Sequence, residues 1–133
     1  MYTYEKSMTG KGEIKKIWNM YSEVENWSLW DIGLKSVQLS GDFCIGTNGT
    51  MEMVDGSTLP FTLTECVEEK SFTTESRLGS LIVTFGHLLK EDKDKITITH
   101  TVTIVGGEEN QMNGIGKRIT AGIPHCLETL LSV

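Results

Sequence analysis

The chain has 133 residues, a length that is most simply one domain, so we expect one hydrophobic core and not two. Its 12 basic and 18 acidic residues give a net charge of -6, the wrong sign for a protein that neutralises nucleic-acid phosphates. No stretch has the roughly 18 apolar residues that a membrane-spanning helix requires, and the first ten residues lack the apolar centre of a signal peptide. We therefore expect a single domain, residues 1–133, with no nucleic-acid partner and no membrane insertion, as a monomer or a homodimer.

The beginning of the chain changes from one hydrophobic period to another. The opening segment YTYEKSMT alternates large with small or polar residues, which predicts a strand. The next segment, KGEIKKIWNMYSEVENWSLWD, has apolar residues three or four positions apart. This spacing predicts a helix that contains Trp18 and Tyr21, followed by a shorter helical turn that contains Trp27 and Trp30.

The middle of the chain returns to alternation interrupted by turn residues. The predicted strands are 34–42, 47–54, 58–68, 71–79, 81–91 and 95–105. The connections GDFCIG, VDGSTLP, EEKS and KEDKDK contain the Gly, Asp and charged residues of hairpin loops, so the strands should form an antiparallel meander. From Asn110 to the end, helical spacing predicts one long terminal helix. Pro124 should kink it, because proline removes one intrahelical hydrogen bond.

Two histidines interrupt the apolar face of the last predicted hairpin, LIVTFGHLLKEDKDKITITHTVTI. A turn centred between Lys93 and Asp94 pairs His87 with His100 and pairs apolar residues with each other at the neighbouring positions of this face. The opposite face carries threonines that suit solvent. Because a slip of one residue would exchange the two faces of a strand, we expect both imidazoles to point inward.

The hairpin around EEKS adds more polar groups to the same inner face. A two-residue turn there pairs Glu65 with Thr74 and Leu63 with Ser76, between two apolar pairs. Buried polar groups without partners cost about 1–3 kcal/mol each, so these side chains require either mutual hydrogen bonds or a wet pocket. We interpret the face as the wall of a cavity and not as part of a solid core.

The three cysteines, Cys44, Cys66 and Cys126, are far apart and odd in number, and no CxxC spacing occurs. This pattern favours reduced thiols, which are typical of cytoplasmic proteins. The glycine-rich segment GGEENQMNGIGKR matches neither a phosphate-binding P-loop nor a dinucleotide-binding fingerprint. We therefore interpret it as a loop that leads into the last helix.

The order of predicted elements resembles the START-like, Bet v 1-like (SRPBCC) superfamily, and more closely its polyketide cyclase/dehydrase and lipid transport group. The resemblance is carried by Trp18 and by the segments WSLWD, VQLSGDFCIGTNGTM, LTECVEEKSFT and ITITHTVTIVG. It implies an α+β helix-grip fold: a curved antiparallel sheet of about seven strands around a long C-terminal helix, with two short helices after the first strand. It also implies a mostly apolar cavity that holds lipids, polyketides or other flat hydrophobic molecules.

We predict that this cavity lies between the inner face of the sheet and the apolar stripe of the terminal helix. Apolar walls with a few convergent polar groups are typical of small-molecule sites. The predicted lining residues are Trp30, Met51, Met53, Phe61, Leu63, Glu65, Ser76, Phe85, His87, His100, Val102, Ile115, Ile119 and Ile123.

Several roles are open for the two histidines. They can complete the wall, orient a ligand by hydrogen bonds, or act as general acid and base, since the unperturbed imidazole pKa is about 6.5. They can also bind a metal ion with Glu65 or His125. A metal site needs three or four convergent ligands, and only two are well placed, so we predict no metal and no cofactor.

The leading hypothesis is a cytoplasmic protein that binds a hydrophobic or aromatic small molecule, oriented by His87 and His100. The alternative is an enzyme of the polyketide cyclase/dehydratase type, in which one of these two residues is the catalytic acid or base. A third hypothesis is a module that binds and modulates another protein. Fold resemblance does not decide among them, because the same fold carries binding proteins and enzymes.

Overall fold

The computed structural model describes residues 1–133 and contains seven strands and four α-helices. The strands are β1 (Tyr2–Lys11), β2 (Leu34–Leu39), β3 (Asn48–Met53), β4 (Thr58–Val67), β5 (Ser71–Leu78), β6 (Leu81–Asp92) and β7 (Lys95–Val105). The helices are α1 (Ile14–Ser22), α2 (Trp27–Trp30), α3 (Glu109–Thr120) and α4 (Ile123–Leu131), with a 3-10 turn at Val24–Asn26. None of these helices is both long enough and apolar enough to cross a membrane.

The strands form one curved antiparallel sheet in the order β1-β7-β6-β5-β4-β3-β2. Burial alternates along β7, where Ile98, His100 and Val102 are buried while the threonines between them are partly exposed. This alternation shows that one face of the sheet is covered. The cover consists of α3 and α4, which pack on β1 and β7, and of α1 and α2, which contact α4.

The helical C-terminal segment consists of two pieces separated at Ala121 and Gly122. Pro124 lies in the first turn of α4, where its missing N–H has no intrahelical partner to lose. Inside a continuous helix, the ring of Pro124 would meet the carbonyl of Thr120, the last residue of α3. The predicted disturbance near Pro124 is thus an interruption of the helix at Ala121 and Gly122, on the N-terminal side of the proline.

The register predicted for the last hairpin is confirmed. His87 pairs with His100, and Phe85 pairs with Val102. The β6–β7 turn has two residues, Lys93 and Asp94, as the sequence indicates.

The register predicted for β4 and β5 is wrong. Glu65 pairs with Thr73 and not with Thr74, and Leu63 pairs with Thr74 and not with Ser76. The turn has three residues centred on Glu69, which adopts a positive φ of 61°, and a bulge between Leu63 and Glu65 shifts the register once more.

This shift removes Glu65 from the predicted cavity wall. Its side chain is exposed and accepts a hydrogen bond from Ser71 Oγ at 2.7 Å. The bulge lets Leu63 remain buried while the neighbouring Thr64 and Glu65 are both exposed. Thr74 and Ser76 are buried on the inner face, as predicted.

Candidate functional site around the histidine pair

Two tryptophan indoles fix the short helix α2 against the end of α1. Trp27 Nε1 donates to the Tyr21 carbonyl at 2.7 Å, and Trp30 Nε1 donates to the Met20 carbonyl at 2.9 Å. Carbonyls in the last turn of a helix lack intrahelical partners, so these two bonds satisfy groups that α1 leaves free. They also hold the rings of Tyr21 and Trp30 close to the histidines of the sheet.

His87 and His100 lie side by side on β6 and β7. Their ring centroids are 4.6 Å apart, with an angle of 74° between the planes. His100 Nε2 is 2.7 Å from the Tyr21 hydroxyl oxygen. His87 stacks on Phe72 at 3.9 Å, with 5° between the rings, and its Nδ1 lies 3.2 Å from the Phe72 carbonyl oxygen.

The bond to Phe72 determines the tautomer of His87. A carbonyl oxygen only accepts hydrogen bonds, so Nδ1 of His87 carries the proton and donates it. In the neutral ring, Nε2 is then an acceptor. His87 therefore presents, at Nε2, a hydrogen-bond acceptor that is not used in the bond to the Phe72 carbonyl.

Burial keeps this group of side chains neutral. It lowers the pKa of His87 to about 3, an effect that the bond to the Phe72 carbonyl partly opposes. Burial and the neighbouring His87 lower the pKa of His100 well below its ordinary value. Burial also raises the pKa of Tyr21, with a smaller contribution from Cys126. Since a general base works best when its pKa lies near the operating pH, the pair suits hydrogen bonding better than proton transfer.

Aromatic rings from three elements enclose the pair. Trp30 lies 5.8 Å from His100 and 6.1 Å from His87, and Tyr21 lies 4.8 Å from Phe72, measured between ring centroids. Tyr21 and Phe72 were absent from the predicted lining. The helical spacing of Tyr21 and Trp18 was the available signal for the first. The contact between Phe72 and His87 depends on the pairing of β5 with β6, whose register was not predicted.

The remaining predicted lining residues differ in how far they are covered. Those that are buried are Trp30, Met51, Phe61, Leu63, Ser76, Val102 and Ile123. Met53, Phe85 and Ile115 are partly buried, whereas Ile119 is exposed on α3, at 36%. The inner face is thus closed in part and accessible in part, chiefly along α3 and the middle of β6.

The Ser76 hydroxyl is a buried polar group without a hydrogen-bond partner. The residue is 1% exposed and pairs with Val83 on the neighbouring strand. An unsatisfied hydroxyl in such surroundings costs about 1–3 kcal/mol. Ser76 is therefore a polar position that the protein itself does not satisfy.

No third ligand joins the two histidines to form a metal site. Glu65 lies on the outer face, and His125 is exposed on α4. No group of three or more His, Cys, Asp and Glu side chains comes together anywhere in the fold. The site therefore consists of two neutral imidazoles, those of His87 and His100, within an aromatic cluster.

Two surface grooves lie away from the pair. The first, of about 280 Å³, is bordered by Lys15, Trp18, Asn19, Glu68 and Glu69. The second, of about 350 Å³, is bordered by residues of β3, β4 and β5, among them Phe61. Of the predicted lining residues, only Phe61 borders one of these two grooves. Neither His87 nor His100 borders either of them.

The sequence matches no family model, and no curated protein is similar to it. Solved structures, however, resemble it over nearly the whole chain. The X-ray structure of MLL2253 from Mesorhizobium loti has a TM-score of 0.80 at 14% identity, covering 98% of this chain and 95% of that one. Ara h 8.0201 has a TM-score of 0.72 at 15% identity, covering 99% of both chains.

A further similar structure is DynU16, a protein of the dynemicin biosynthetic locus. Its TM-score is 0.73 at 13% identity, with 98% of this chain covered and 46% of that one. Identities this low establish a shared architecture and not a shared activity. The chain therefore shares the fold of these proteins, a helix-grip arrangement of a curved antiparallel sheet around C-terminal helices.

Proposed function

We propose that the protein binds a hydrophobic or aromatic small molecule, lipid-like or polyketide-like, between the sheet and the C-terminal helices. The observation that carries the proposal is the environment of His87. Four aromatic rings, those of Tyr21, Trp30, Phe72 and His100, lie within 6.1 Å of its ring, yet His87 keeps accessible surface. A polar ring that aromatic rings enclose, in a residue that still has accessible surface, supports a small-molecule contact on this face.

The polar groups on this face indicate the chemistry of the ligand. Nε2 of His87 is an acceptor, so a ligand hydroxyl or phenol could donate to it. No lysine or arginine is buried in the fold, and a charged ligand group without a counter-charge would be costly there. We therefore propose a neutral ligand that is largely apolar and carries at least one hydrogen-bond donor.

Native mass spectrometry of the purified protein is the first test. A mass above that of the denatured chain would reveal a retained ligand and its approximate size. A panel of neutral polycyclic phenols, with fatty acids for comparison, should then be titrated against the parent, His87→Phe and His125→Gln. His87→Phe keeps a ring that can stack on Phe72 but lacks the acceptor, whereas His125 is exposed on α4.

We expect His87→Phe to weaken binding of a phenol about tenfold or more, which corresponds to about 1.4 kcal/mol. His125→Gln should bind as the parent does. Equal affinities for all three proteins would refute the role of His87. No binding by any of them across the panel would refute the ligand class.

A second candidate function is supported by the likeness to DynU16, which comes from a biosynthetic locus. In that case His87 would accept a proton from a poly-β-ketone during its cyclisation. The low pKa of His87, about 3, counts against it, because such an imidazole is a weak base near neutral pH. Cyclisation that is lost in His87→Phe and kept in His125→Gln would establish the enzyme; binding without turnover would support the binding protein.

We also propose that the protein is cytoplasmic. Cys44, Cys66 and Cys126 are all free thiols in the structure. Free thiols are typical of reducing compartments. Localisation of a tagged full-length chain by cell fractionation would test this assignment, and recovery outside the cytoplasm would overturn it.

A further inference from the structure

The loop between β2 and β3 runs along β4 and is fixed to it at two points. Gly46 N–H donates to the Leu63 carbonyl at 2.7 Å, and Leu63 N–H donates to the Thr47 carbonyl at 2.9 Å. Three residues further along β4, Cys66 Sγ donates to the Phe43 carbonyl at 3.6 Å. Cys44 therefore lies between Phe43, which is hydrogen-bonded to Cys66, and Gly46, which is hydrogen-bonded to Leu63.

This attachment brings two cysteines together, while the Cys44 sulfur itself lies 3.4 Å from the Thr47 hydroxyl oxygen. The carbonyl carbon of Phe43 is bonded to the nitrogen of Cys44, so Cys66 Sγ lies about one peptide unit from Cys44. Disulfides join cysteines whose Cα atoms are about 4.4–6.8 Å apart, a separation that neighbouring chain segments readily provide. Cys44 is exposed and Cys66 is partly exposed, whereas Cys126 is buried in α4.

We propose that Cys44 and Cys66 form a reversible intramolecular disulfide when the protein meets hydrogen peroxide. The exposed Cys44 thiolate attacks one peroxide oxygen and breaks the O–O bond, giving a sulfenic acid and hydroxide. The Cys66 thiolate then attacks the sulfenic sulfur, forms the S–S bond and expels a second hydroxide. The two thiol protons convert both hydroxides to water, so two thiols and one peroxide yield one disulfide and two waters. A thiol reductant reverses the bond by exchange.

The surroundings of Cys66 make the second step, its attack on the sulfenic acid, dependent on pH. Burial raises the pKa of Cys66, and the neighbouring Cys44 and Glu68 raise it further. A smaller fraction of Cys66 is therefore thiolate at neutral pH than in an ordinary cysteine. Disulfide formation should accelerate as the pH rises, because the second attack requires that thiolate.

The disulfide would restrict Phe43, which packs against the aromatic cluster. Phe43, next to Cys44, packs edge-on against Trp18 at 5.9 Å and against Phe72 at 5.3 Å, and Phe72 stacks on His87. In the reduced protein this loop is attached to β4 by hydrogen bonds alone. The bond between Cys44 and Cys66 would fasten Phe43 in place, whether or not a small molecule binds nearby.

The test is peroxide treatment of the full-length protein after removal of reductant. Thiols that remain are alkylated in denaturant, and the intact mass and linked peptides are measured. The variants are Cys44→Ser, Cys66→Ala and Cys126→Ala, together with the parent. Cys126 is the matched control, because burial raises its pKa to about 12 and holds it away from peroxide.

After oxidation we expect the parent to take up one alkyl group and not three, and Cys126→Ala to take up none and not two. Both should yield a peptide that links positions 44 and 66, and both should recover with a reductant. The midpoint of thermal unfolding should rise by several degrees on oxidation, because the bond constrains the unfolded chain. Cys44→Ser and Cys66→Ala should show neither change.

Three results would overturn the proposal. The first is a disulfide between two chains through Cys44. The second is oxygen addition to Cys44 without a link to Cys66. The third is a linked peptide that contains Cys126. The parent alone can give each of these results, so the test does not depend on whether the variants fold.

Discussion

The hydroxyl of Tyr21 in α1 and Nε2 of His100 in β7 are joined by a hydrogen bond of 2.7 Å. Both residues are buried, with 0% and 4% of their surface exposed. The backbone carbonyl of Tyr21 also accepts the Trp27 indole, so one residue connects α1, α2 and the sheet. The bond is thus a polar link in the otherwise largely apolar contact between the helical layer and the inner face.

Tyr21→Phe should lower the free energy of unfolding by about 1–3 kcal/mol, because it leaves Nε2 of His100 buried without a partner. Urea unfolding at neutral pH measures this loss. Tyr4→Phe is the matched control, since Tyr4 is only partly buried and no protein group bonds its hydroxyl. If both variants lose the same stability, the Tyr21–His100 bond is not the cause.

Acid should destabilise the protein through the histidine pair. The folded-state pKa values of His87, at about 3, and of His100 lie below the ordinary value of 6.5. Between the folded and unfolded pKa values the unfolded chain binds more protons, so stability is fully present above about pH 6.5 and falls as the pH drops. Each histidine contributes a slope of up to about 1.4 kcal/mol per pH unit.

Urea unfolding at several pH values between 4 and 7 measures this slope. His87→Phe should reduce it, because one of the two imidazoles with a lowered pKa is gone. His125→Gln should leave it unchanged, since that histidine is exposed. A slope that His87→Phe does not alter would mean that other groups cause the acid sensitivity.

Two glycines of α3 should respond oppositely to alanine. A Cβ at Gly116 would collide with the ring of Tyr2. A hydrogen bond of 3.2 Å between the hydroxyl oxygens of Tyr2 and Thr120 holds that ring in place. A Cβ at Gly114 would meet open space. Gly116→Ala should therefore lower the unfolding free energy by about 1–3 kcal/mol through overpacking. Gly114→Ala should raise it by up to about 1 kcal/mol, because alanine is the better helix former. Denaturant midpoints that shift in the same direction for both would contradict the close packing of α3 on β1.

Two serines of β5 should also differ. Ser76→Ala removes a buried hydroxyl without a partner and should leave stability unchanged or raise it by about 1 kcal/mol. Ser71→Ala removes the 2.7 Å bond to Glu65 and should cost about 1 kcal/mol. Thermal unfolding of the ligand-free protein checks both. A clear loss for Ser76→Ala would show that a water satisfies this hydroxyl in solution.

Local patterns were sufficient to predict the element order and the pairing of β6 with β7. The two-residue turn KD and the alternation on both strands agree on a single register, so His87 and His100 could be paired from the sequence. The turn and the alternation both involve residues that are close together in the sequence, so they can be recognised without the structure.

The sequence did not reveal the bulge near Glu65 or the environment of His87. A bulge is favoured by the curvature of the whole sheet, and Glu69 gives no glycine signal for its positive φ. The enclosure of His87 requires Phe72 and Tyr21, which arrive from β5 and α1. Such contacts depend on packing between distant elements, which periodicity within one element does not describe.

The pairing of β1 with β7 has a consequence for how the chain folds during synthesis. Five of the six strand pairs join consecutive strands, whereas β1 pairs with a strand that begins at Lys95. The ribosome therefore releases β1 first, but its partner emerges only after more than half of the chain has followed. Late pairing of this kind slows folding and leaves an unpaired edge open to aggregation in the interval. Substitutions in β1 should consequently affect the yield of nascent protein more than its equilibrium stability suggests.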